Sequence, residues 1–182
     1  MRYSLLAGGK RLRCALALEF CLALGGNKED VLPFACALEM VHAYSLIHDD
    51  LPCMDDDDMR RGKPSCHIAF GEANALLAGD GLLTKAFEVM VQQSKIPPER
   101  TVLAIGVLAQ AIGHHGMIGG QRMDLQNEGK EVGIEVIEQT NRLKTGALII
   151  AAAQLGCIAA GADTKMTELA KKYAEQIGLA FQ

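Results

Sequence analysis

The chain has 182 residues, enough for one domain with a sizeable hydrophobic core, and its formal net charge of −4 gives no general attraction to nucleic acid. Hydrophobic residues make up 49% of it and tryptophan is absent, which favours small aliphatic side chains packed between helices. The six cysteines lack C-x-x-C spacing, so buried free thiols in a reducing compartment are predicted. Neither a signal peptide nor an unbroken apolar run long enough to span a bilayer is visible, which favours a cytoplasmic protein without stable membrane insertion.

Apolar residues recur with a helical period along the whole chain. Glycine pairs bound the first predicted helix, and Pro97-Pro98 starts the fourth. Strand alternation and hairpin turn signals are absent, and no shift in composition marks a second domain. The sequence therefore predicts a single all-α domain over residues 1–182, a bundle of mostly antiparallel helices around a central apolar cavity. The predicted helices cover residues 10–24, 29–50, 67–93, a segment from 98, 135–160 and 164–182, with a loop over 59–65.

A dense carboxylate cluster follows the second predicted helix. Asp49 and Asp50 precede four consecutive aspartates, residues 55–58, and then the basic run Arg60-Arg61-Gly62-Lys63. Carboxylates this crowded repel one another unless cations neutralise them, and Mg²⁺ prefers to share its shell with a substrate phosphate. The arginines would hold phosphate oxygens in forked hydrogen bonds. A solvated acidic loop beside a basic turn is the alternative, but the apolar segment 41–47 that leads into the acids favours a metal-bridged diphosphate site.

Pro52 decides how the acidic side chains are arranged. In an uninterrupted helix Asp55 would lie roughly 240° around the axis from Asp49 and would point away from it. A proline lacks the N–H that a helix interior needs, so the helix is predicted to break across residues 51–54 and to bring Asp55 back toward Asp49. We therefore predict Asp49 and Asp55 as joint metal ligands, with Asp50 beside them in the same metal site.

Four segments carry a family resemblance, and they are Gly8-Gly9-Lys10-Arg11-Leu12-Arg13, residues 45–64, Gly119-Gly120-Gln121-Arg122-Met123-Asp124-Leu125, and Lys144-Thr145-Gly146-Ala147-Leu148. In this order they resemble the trans-isoprenyl diphosphate synthases, the polyprenyl synthetase family, over nearly the whole chain. Terpene cyclases share the D-D-x-x-D pattern but are not expected to have the G-G-K-R-x-R or R-R-G-K-P runs. The resemblance implies the isoprenoid synthase fold, Mg²⁺ as cofactor, isopentenyl and allylic diphosphates as substrates, head-to-tail prenyl transfer and a homodimer.

The resemblance also assigns roles to single residues. Taken alone, Lys10 and Arg13 in the first turn of a helix are more often a solvated basic face, and His42 is more often a satisfied core histidine. Gln121 and Asp124 are placed beside the allylic group, with an interhelical hydrogen bond as the alternative. The implied ligands of isopentenyl diphosphate are Lys10, Arg13, His42 and Arg61. The implied residues on the allylic side are Arg60, Lys144 and Thr145, and Gln182 is a further substrate contact. The implied catalytic residues are Asp49, Asp55, Arg60 and Lys144.

Product length is predicted to depend on Tyr44. This residue lies five positions before Asp49, roughly 7.5 Å back along the helix, where a rigid ring forms a plausible floor for a growing prenyl chain, whereas Ser45 is too small to block it. A core tyrosine with a hydrogen-bonded hydroxyl is the alternative. An aromatic residue there, with Pro52-Cys53 inside the acidic motif, resembles bacterial-type farnesyl diphosphate synthases, so a fifteen-carbon product is predicted.

The two ends of the chain depart from the family pattern. Similar proteins continue past a Phe-Gln pair like Phe181-Gln182 into a second aspartate-rich motif, and they usually have a helix before Met1. We therefore expect the 182 residues to be a fragment of a longer enzyme; a non-catalytic partner subunit is the alternative.

Overall fold

The computed structural model describes residues 1–181, and its regular structure is almost entirely helical, which confirms the predicted all-α class. A π-helical turn, Arg142–Gly146, joins two of the helices. The elements in chain order are α1 (Arg2–Leu5), α2 (Leu12–Ala23), α3 (Lys28–Asp49), β1 (Met59–Arg60), β2 (Lys63–Pro64), α4 (Cys66–Phe70), α5 (Glu72–Gln92), α6 (Pro98–Ile112), α7 (Met117–Asn127), α8 (Ile134–Asn141), α9 (Ala147–Ala160) and α10 (Thr164–Phe181).

The core lies around α3 and α9. Most of α9 is buried between α2, α6 and α10, while α3 packs on α2 and α5. Gly156 in α9 allows a close approach to α2, because a Cβ atom there would lie 2.5 Å from the carbonyl oxygen of Ala17. The largest fully buried side chains of α3 are Phe34, Leu38, Val31, Val41 and Ile47.

The start of the first long helix differs from its prediction. It begins at Leu12, because Gly8, Gly9 and Arg11 all have positive φ angles of 87°, 129° and 52°. Lys10 therefore lies in the loop before α2, and the prediction that Lys10 and Arg13 share a first helical turn is wrong. An anion can still meet both residues, but from a loop and a helix rather than from one helix face.

Two other segments also differ from their predictions, and each contains a residue with a positive φ angle. The predicted helix 67–93 is broken at Gly71, whose φ angle is 85°. The predicted loop 59–65 contains an antiparallel strand pair that joins Met59 to Pro64 and Arg60 to Lys63. Arg61 and Gly62 at its tip both have positive φ angles, as a tight two-residue hairpin turn requires.

The cysteines are all free thiols in the described residues, but Cys53 is exposed. Three helical stretches are long and apolar enough to cross a membrane by length and composition alone: Lys28–Asp49, Pro98–Asn127 and Ile134–Ala160. The prediction concerned unbroken apolar runs, and these stretches contain charged residues such as Glu39 in the first and Lys144 in the third. The most apolar windows of the first and third stretches are 56% and 61% buried inside the protein, so packing accounts for much of their hydrophobicity.

Candidate active site

A cavity of 690 Å³ opens between α2, α3, α5, α7 and the π-helical turn. A second cavity of 280 Å³, between α7 and α8, shares Leu125 with it and has Asp55 in its wall. The large cavity thus brings cationic, anionic and apolar side chains from distant parts of the sequence to one place. Its lining includes Arg13, His42, Tyr44, Asp49, Lys144 and Thr145.

The acidic end of the site forms where α3 stops. The backbone N–H of Asp55 donates a hydrogen bond to the carbonyl oxygen of Asp49 at 2.8 Å, and that of Asp56 donates to the carbonyl oxygen of Leu51 at 3.2 Å. The chain therefore turns back after Pro52, as predicted, and carries Asp55 to Asp49. Burial raises the pKa of Asp49 to about 6; the charge of Lys144 opposes this effect and that of Asp55 adds to it.

These two carboxylates fit a magnesium ion that completes its shell elsewhere. Among residues 1–181, no three His, Cys, Asp or Glu side chains are grouped closely enough to hold a metal by themselves. Mg²⁺ is commonly bound by only one or two carboxylates together with water and substrate phosphates. The pKa of Asp49 is raised mainly by burial and further by Asp55, and a divalent cation at this carboxylate would stabilise its charged form.

Asp50 is paired with Arg60. Its side chain is almost fully buried, and the Nε–H of Arg60 donates to its Oδ1 at 2.9 Å while a terminal N–H of Arg60 contacts the same oxygen. Arg60 also donates to Asp57 at 2.9 Å. Asp50 thus orients Arg60 through one carboxylate oxygen, Oδ1, and its role in the metal site stays a prediction.

The cationic end of the site lies at the start of α2. Arg61 donates to the carbonyl oxygen of Gly8, and its other terminal nitrogen lies 3.4 Å from Nε2 of His42. Burial and the neighbouring charge of Arg61 lower the pKa of Arg13, although Glu39 opposes them. The Nε of Arg13 is buried without a hydrogen-bond acceptor in the described part of the chain. Cations this crowded match the needs of a multiply charged anion.

His42 is held in its neutral form. Burial, with the charges of Arg13 and Arg61, lowers its pKa to about 3 from an ordinary value of 6.5. In the unfolded chain this histidine takes up a proton as the pH falls through 6.5, whereas in the folded chain it stays neutral until the pH reaches about 3. The free energy of unfolding therefore falls as the pH is lowered through this window.

We expect the free energy of unfolding to fall less between about pH 7 and about pH 5 in His42→Gln than in the wild type. Equal losses in urea titrations would contradict this.

The π-helical turn places Lys144 opposite the carboxylates. Its Nζ lies 2.6 Å from Oδ2 of Asp124 in α7 and 3.9 Å from Oδ2 of Asp49. Burial lowers the pKa of Lys144, but the hydrogen bond to Asp124 and the charge of Asp49 outweigh it, so the pKa is raised overall. The interhelical alternative for Asp124 is therefore the contact observed. Gln121 Nε2, in contrast, is buried without an acceptor among residues 1–181.

Gly120 permits this contact between α7 and the π-helical turn. A Cβ atom on Gly120 would collide with the backbone of Leu143 and Lys144, and moving this backbone away would cost free energy.

We expect Gly120→Ala to lower the free energy of unfolding by about 1–3 kcal/mol. Gly106, which lies in α6 with open space at its Cβ position, is the matched control, and Gly106→Ala should raise stability by about 0.5–1 kcal/mol. Equal effects in the two variants would contradict the close approach.

Tyr44 lies in the wall of the large cavity and is 6% exposed. Its hydroxyl has no hydrogen-bond partner in the described part of the chain, which does not match the alternative of a satisfied core tyrosine. Burial, and to a lesser degree the charge of Asp49, raises its pKa to about 12. Its ring meets that of His48 edge to face at 5.7 Å. Ser45 also lines the cavity and donates to the carbonyl oxygen of His42 at 3.0 Å.

Comparison with known proteins agrees with this geometry. The polyprenyl synthetase family model matches residues 1–182. The chain belongs to the polyprenyl synthetase family. It is 48% identical to the farnesyl diphosphate synthase of Geobacillus stearothermophilus over 184 residues, and 50% identical to the heterodimeric geranylgeranyl pyrophosphate synthase large subunit 1, chloroplastic, of Arabidopsis thaliana over 188 residues. Both alignments cover all of this chain, but only 62% and 51% of the two relatives, so the chain spans between half and two thirds of their length.

Solved structures of the family share the fold. The apo structure of an FPP/GFPP synthase from Zymomonas mobilis matches with a TM-score of 0.94 at 43% identity, over all of this chain and 66% of that one. A geranyltransferase from Legionella pneumophila matches with a TM-score of 0.92 at 42% identity, over all of this chain and 65% of that one. The predicted isoprenoid synthase fold is thereby confirmed.

Two features near the large cavity were not predicted from the sequence: a hydrogen bond made by His48 and the close packing of His48 on Gly79. One predicted residue cannot be placed. His48 Nε2–H donates to the carbonyl oxygen of Leu76 at 3.0 Å, and the absence of a side chain at Gly79 makes room for its ring. A glycine inside a helix was the available signal for this close packing. Gln182, predicted as a substrate contact, lies outside the described residues.

Proposed function

We propose that this chain forms the substrate-binding centre of a prenyltransferase that adds isopentenyl diphosphate to an allylic diphosphate. The observation that carries the proposal is the 690 Å³ cavity, which has Asp49 and Lys144 along one part of its wall and Arg13 and neutral His42 along another. Arg61 lies next to His42. Two separate polar sites facing one apolar cavity suit two diphosphates whose hydrocarbon parts must meet.

The allylic diphosphate would lie against Asp49, Asp55 and Lys144. These two carboxylates would hold Mg²⁺, which when bound would supply positive charge to the departing diphosphate. Lys144, 3.9 Å from Asp49, can leave Asp124 for a phosphate oxygen, and Arg60, fixed by Asp50, adds a second donor. Charge placed in advance where negative charge develops stabilises the transition state for breaking the C–O bond. Thr145 on the π-helical turn contributes to the same wall.

Isopentenyl diphosphate would be held at the cationic end by Lys10, Arg13, His42 and Arg61. Neutral His42 accepts from Arg61, so it orients the guanidinium without competing as a cation for the same anion. The allylic cation forms in an apolar cavity that excludes water, and its carbon is attacked by the double bond of isopentenyl diphosphate. Loss of a proton, which the departing diphosphate can accept, restores an allylic product.

The proposed product is farnesyl diphosphate, made from dimethylallyl and then geranyl diphosphate. The buried ring of Tyr44 in the cavity wall supports this choice. Geranylgeranyl diphosphate is the second candidate, because similar proteins carry both names. A role as a non-catalytic subunit is disfavoured by the joint presence of both polar sites.

The function is tested by incubating the complete enzyme, of which this chain is expected to be a part, with labelled isopentenyl diphosphate, geranyl diphosphate and Mg²⁺. We expect a prenyl diphosphate of fifteen carbons, and we expect a chelator to abolish its formation, because without Mg²⁺ the anionic carboxylates would repel the anionic diphosphate. The absence of any labelled prenyl product with Mg²⁺ present, together with the absence of isopentenyl diphosphate binding in calorimetry, would contradict the proposal.

Assembly as a homodimer in the cytoplasm is proposed as well. Large apolar side chains are exposed along neighbouring helices, including Leu77 in α5, which is 66% exposed, and Val102 in α6, which is 67% exposed. Exposed apolar surface on this scale favours burial against a second copy. We expect sedimentation velocity to show a dimer at micromolar concentration, and a monomer alone would contradict the assembly.

A further inference from the structure

Arg11 ties together three elements at the start of the cationic site. One terminal N–H donates to Oε2 of Glu39 in α3 at 2.5 Å, and the other terminal nitrogen donates to the carbonyl oxygen of Leu5 at the end of α1 at 2.8 Å. Arg11 itself immediately precedes α2. The planar fork of a guanidinium can satisfy two acceptors at once, which a lysine cannot do in the same geometry. One side chain thus fixes α1 and α3 relative to the start of α2.

Glu39 is one of two carboxylates that are buried in the described residues, and each is paired with an arginine. Asp50 holds Arg60 on the allylic side, and Glu39, 9% exposed, holds Arg11. A buried carboxylate is costly unless it is paired, so the two partners constrain each other. Glu39 lies three residues before His42 on the same face of α3, inside the cluster of cations.

The loop that Arg11 anchors lies directly on Arg61. Arg61 donates to the carbonyl oxygen of Gly8, and a Cβ atom on Gly9 would be only 2.9 Å from its Cζ. Arg11 has a φ angle of 52°, a left-handed conformation that side-chain-bearing residues rarely adopt and that persists only where surrounding contacts determine it. The backbone of this loop is therefore set by Arg11 and Arg61 together, and Lys10 belongs to the loop, directly before Arg11.

We propose that Arg11 and Glu39 are positioning residues for the isopentenyl diphosphate end of the site. They do not meet the substrate themselves. They hold the Gly8–Lys10 loop against Arg61, which fixes the spacing of Lys10, Arg13 and Arg61 before the diphosphate arrives. This inference rests on the proposed function, since it concerns one of its two substrates.

Glu39→Gln separates positioning from simple charge. A carboxylate near an anion site repels the anion, so its removal would tighten binding if charge alone mattered. Positioning predicts the opposite result, because glutamine keeps the size of the side chain but loses the charged hydrogen bond to Arg11. We expect the KM for isopentenyl diphosphate to rise about tenfold, the equivalent of one charged hydrogen bond, while kcat and the KM for geranyl diphosphate stay close to wild type.

Two further variants complete the design. Arg11→Lys keeps the charge but not the fork, and its position is partly exposed, so it gives an independent readout if Glu39→Gln does not fold. It should raise the KM for isopentenyl diphosphate in the same way. Glu19→Gln, the same chemical change on an exposed position of α2, is the matched control and should leave both KM values unchanged.

The outcomes are distinguishable from failure of the proposed function. A wild-type protein that neither turns over nor binds isopentenyl diphosphate would overturn the function, and the inference with it. With an active wild type, an unchanged or lowered KM for isopentenyl diphosphate in both folded variants would overturn the positioning role alone. A parallel rise in both KM values would also overturn it, since it would indicate a general structural effect.

Discussion

Asp49→Ala in the complete enzyme should lower turnover by about 10²–10³ while the protein stays folded. Asp49 is the last residue of α3, and its carbonyl oxygen accepts a hydrogen bond from the backbone N–H of Asp55. Its Oδ2 lies 3.9 Å from Nζ of Lys144. Its loss would remove one of the two carboxylates proposed to hold Mg²⁺, and with it positive charge proposed to stabilise the leaving diphosphate. Burial raises the pKa of Asp49 to about 6, which means that its charged carboxylate is poorly solvated in the folded protein. Replacing it with alanine removes this desolvation cost and should not lower the free energy of unfolding.

The matched control is Asp58→Ala, an equal change at an exposed position in the same aspartate run. It should turn over at a rate near that of the wild type. The measurement is steady-state formation of prenyl product at saturating Mg²⁺, with thermal unfolding of each variant recorded alongside. Near-normal turnover in Asp49→Ala, or an equal loss in both variants, would show that the catalytic metal does not depend on Asp49.

Tyr44→Ala should lengthen the product beyond fifteen carbons. The ring lies roughly 7.5 Å along α3 from the end that carries Asp49, and it is buried in the wall of the large cavity. Truncation to alanine removes the ring and extends the cavity, so an additional isopentenyl unit can enter before the chain is blocked. Chromatography of the hydrolysed products should show a major species of twenty carbons or more.

Tyr44→Phe separates the ring from its hydroxyl. The hydroxyl has no hydrogen-bond partner in the described residues, so phenylalanine should keep the fifteen-carbon product and the stability of the wild type. His48, which packs edge to face on the ring, is unchanged in both variants. An unchanged product distribution in Tyr44→Ala would place the floor of the cavity at other residues.

The acidic turn was predictable because a single local rule governs it. Pro52 cannot continue a helix, and the hydrogen bond from Asp55 to the carbonyl oxygen of Asp49 shows the resulting reversal. Local rules also gave the all-α class, since the helical period of apolar residues depends only on near neighbours. The start of α2 at Leu12 and the helix break at Gly71 were less accessible, because the sequence does not reveal that Arg11 and Gly71 have positive φ angles.

Contacts between distant residues could not be read from the sequence. Nothing in the local pattern distinguishes Asp50, which is buried under Arg60, from Asp49, which faces the cavity. Arg11 and Glu39 are 28 residues apart, and their pairing depends on how α2 packs on α3. The π-helical turn that carries Lys144 was equally hidden, because helix propensity does not separate one extra residue in a turn from an ordinary α-helix.

The central claim is that one cavity holds an allylic diphosphate at its acidic end and isopentenyl diphosphate at its cationic end. Its most direct test is a crystal structure of the protein with Mn²⁺, isopentenyl diphosphate and a thio analogue of geranyl diphosphate that cannot ionise readily. We predict an anomalous Mn²⁺ signal between the carboxylates of Asp49 and Asp55, with the analogue's diphosphate next to Lys144 and the second diphosphate between Arg13 and Arg61. A Mn²⁺ signal away from Asp49 and Asp55, or either diphosphate bound outside the cavity, would contradict the claim.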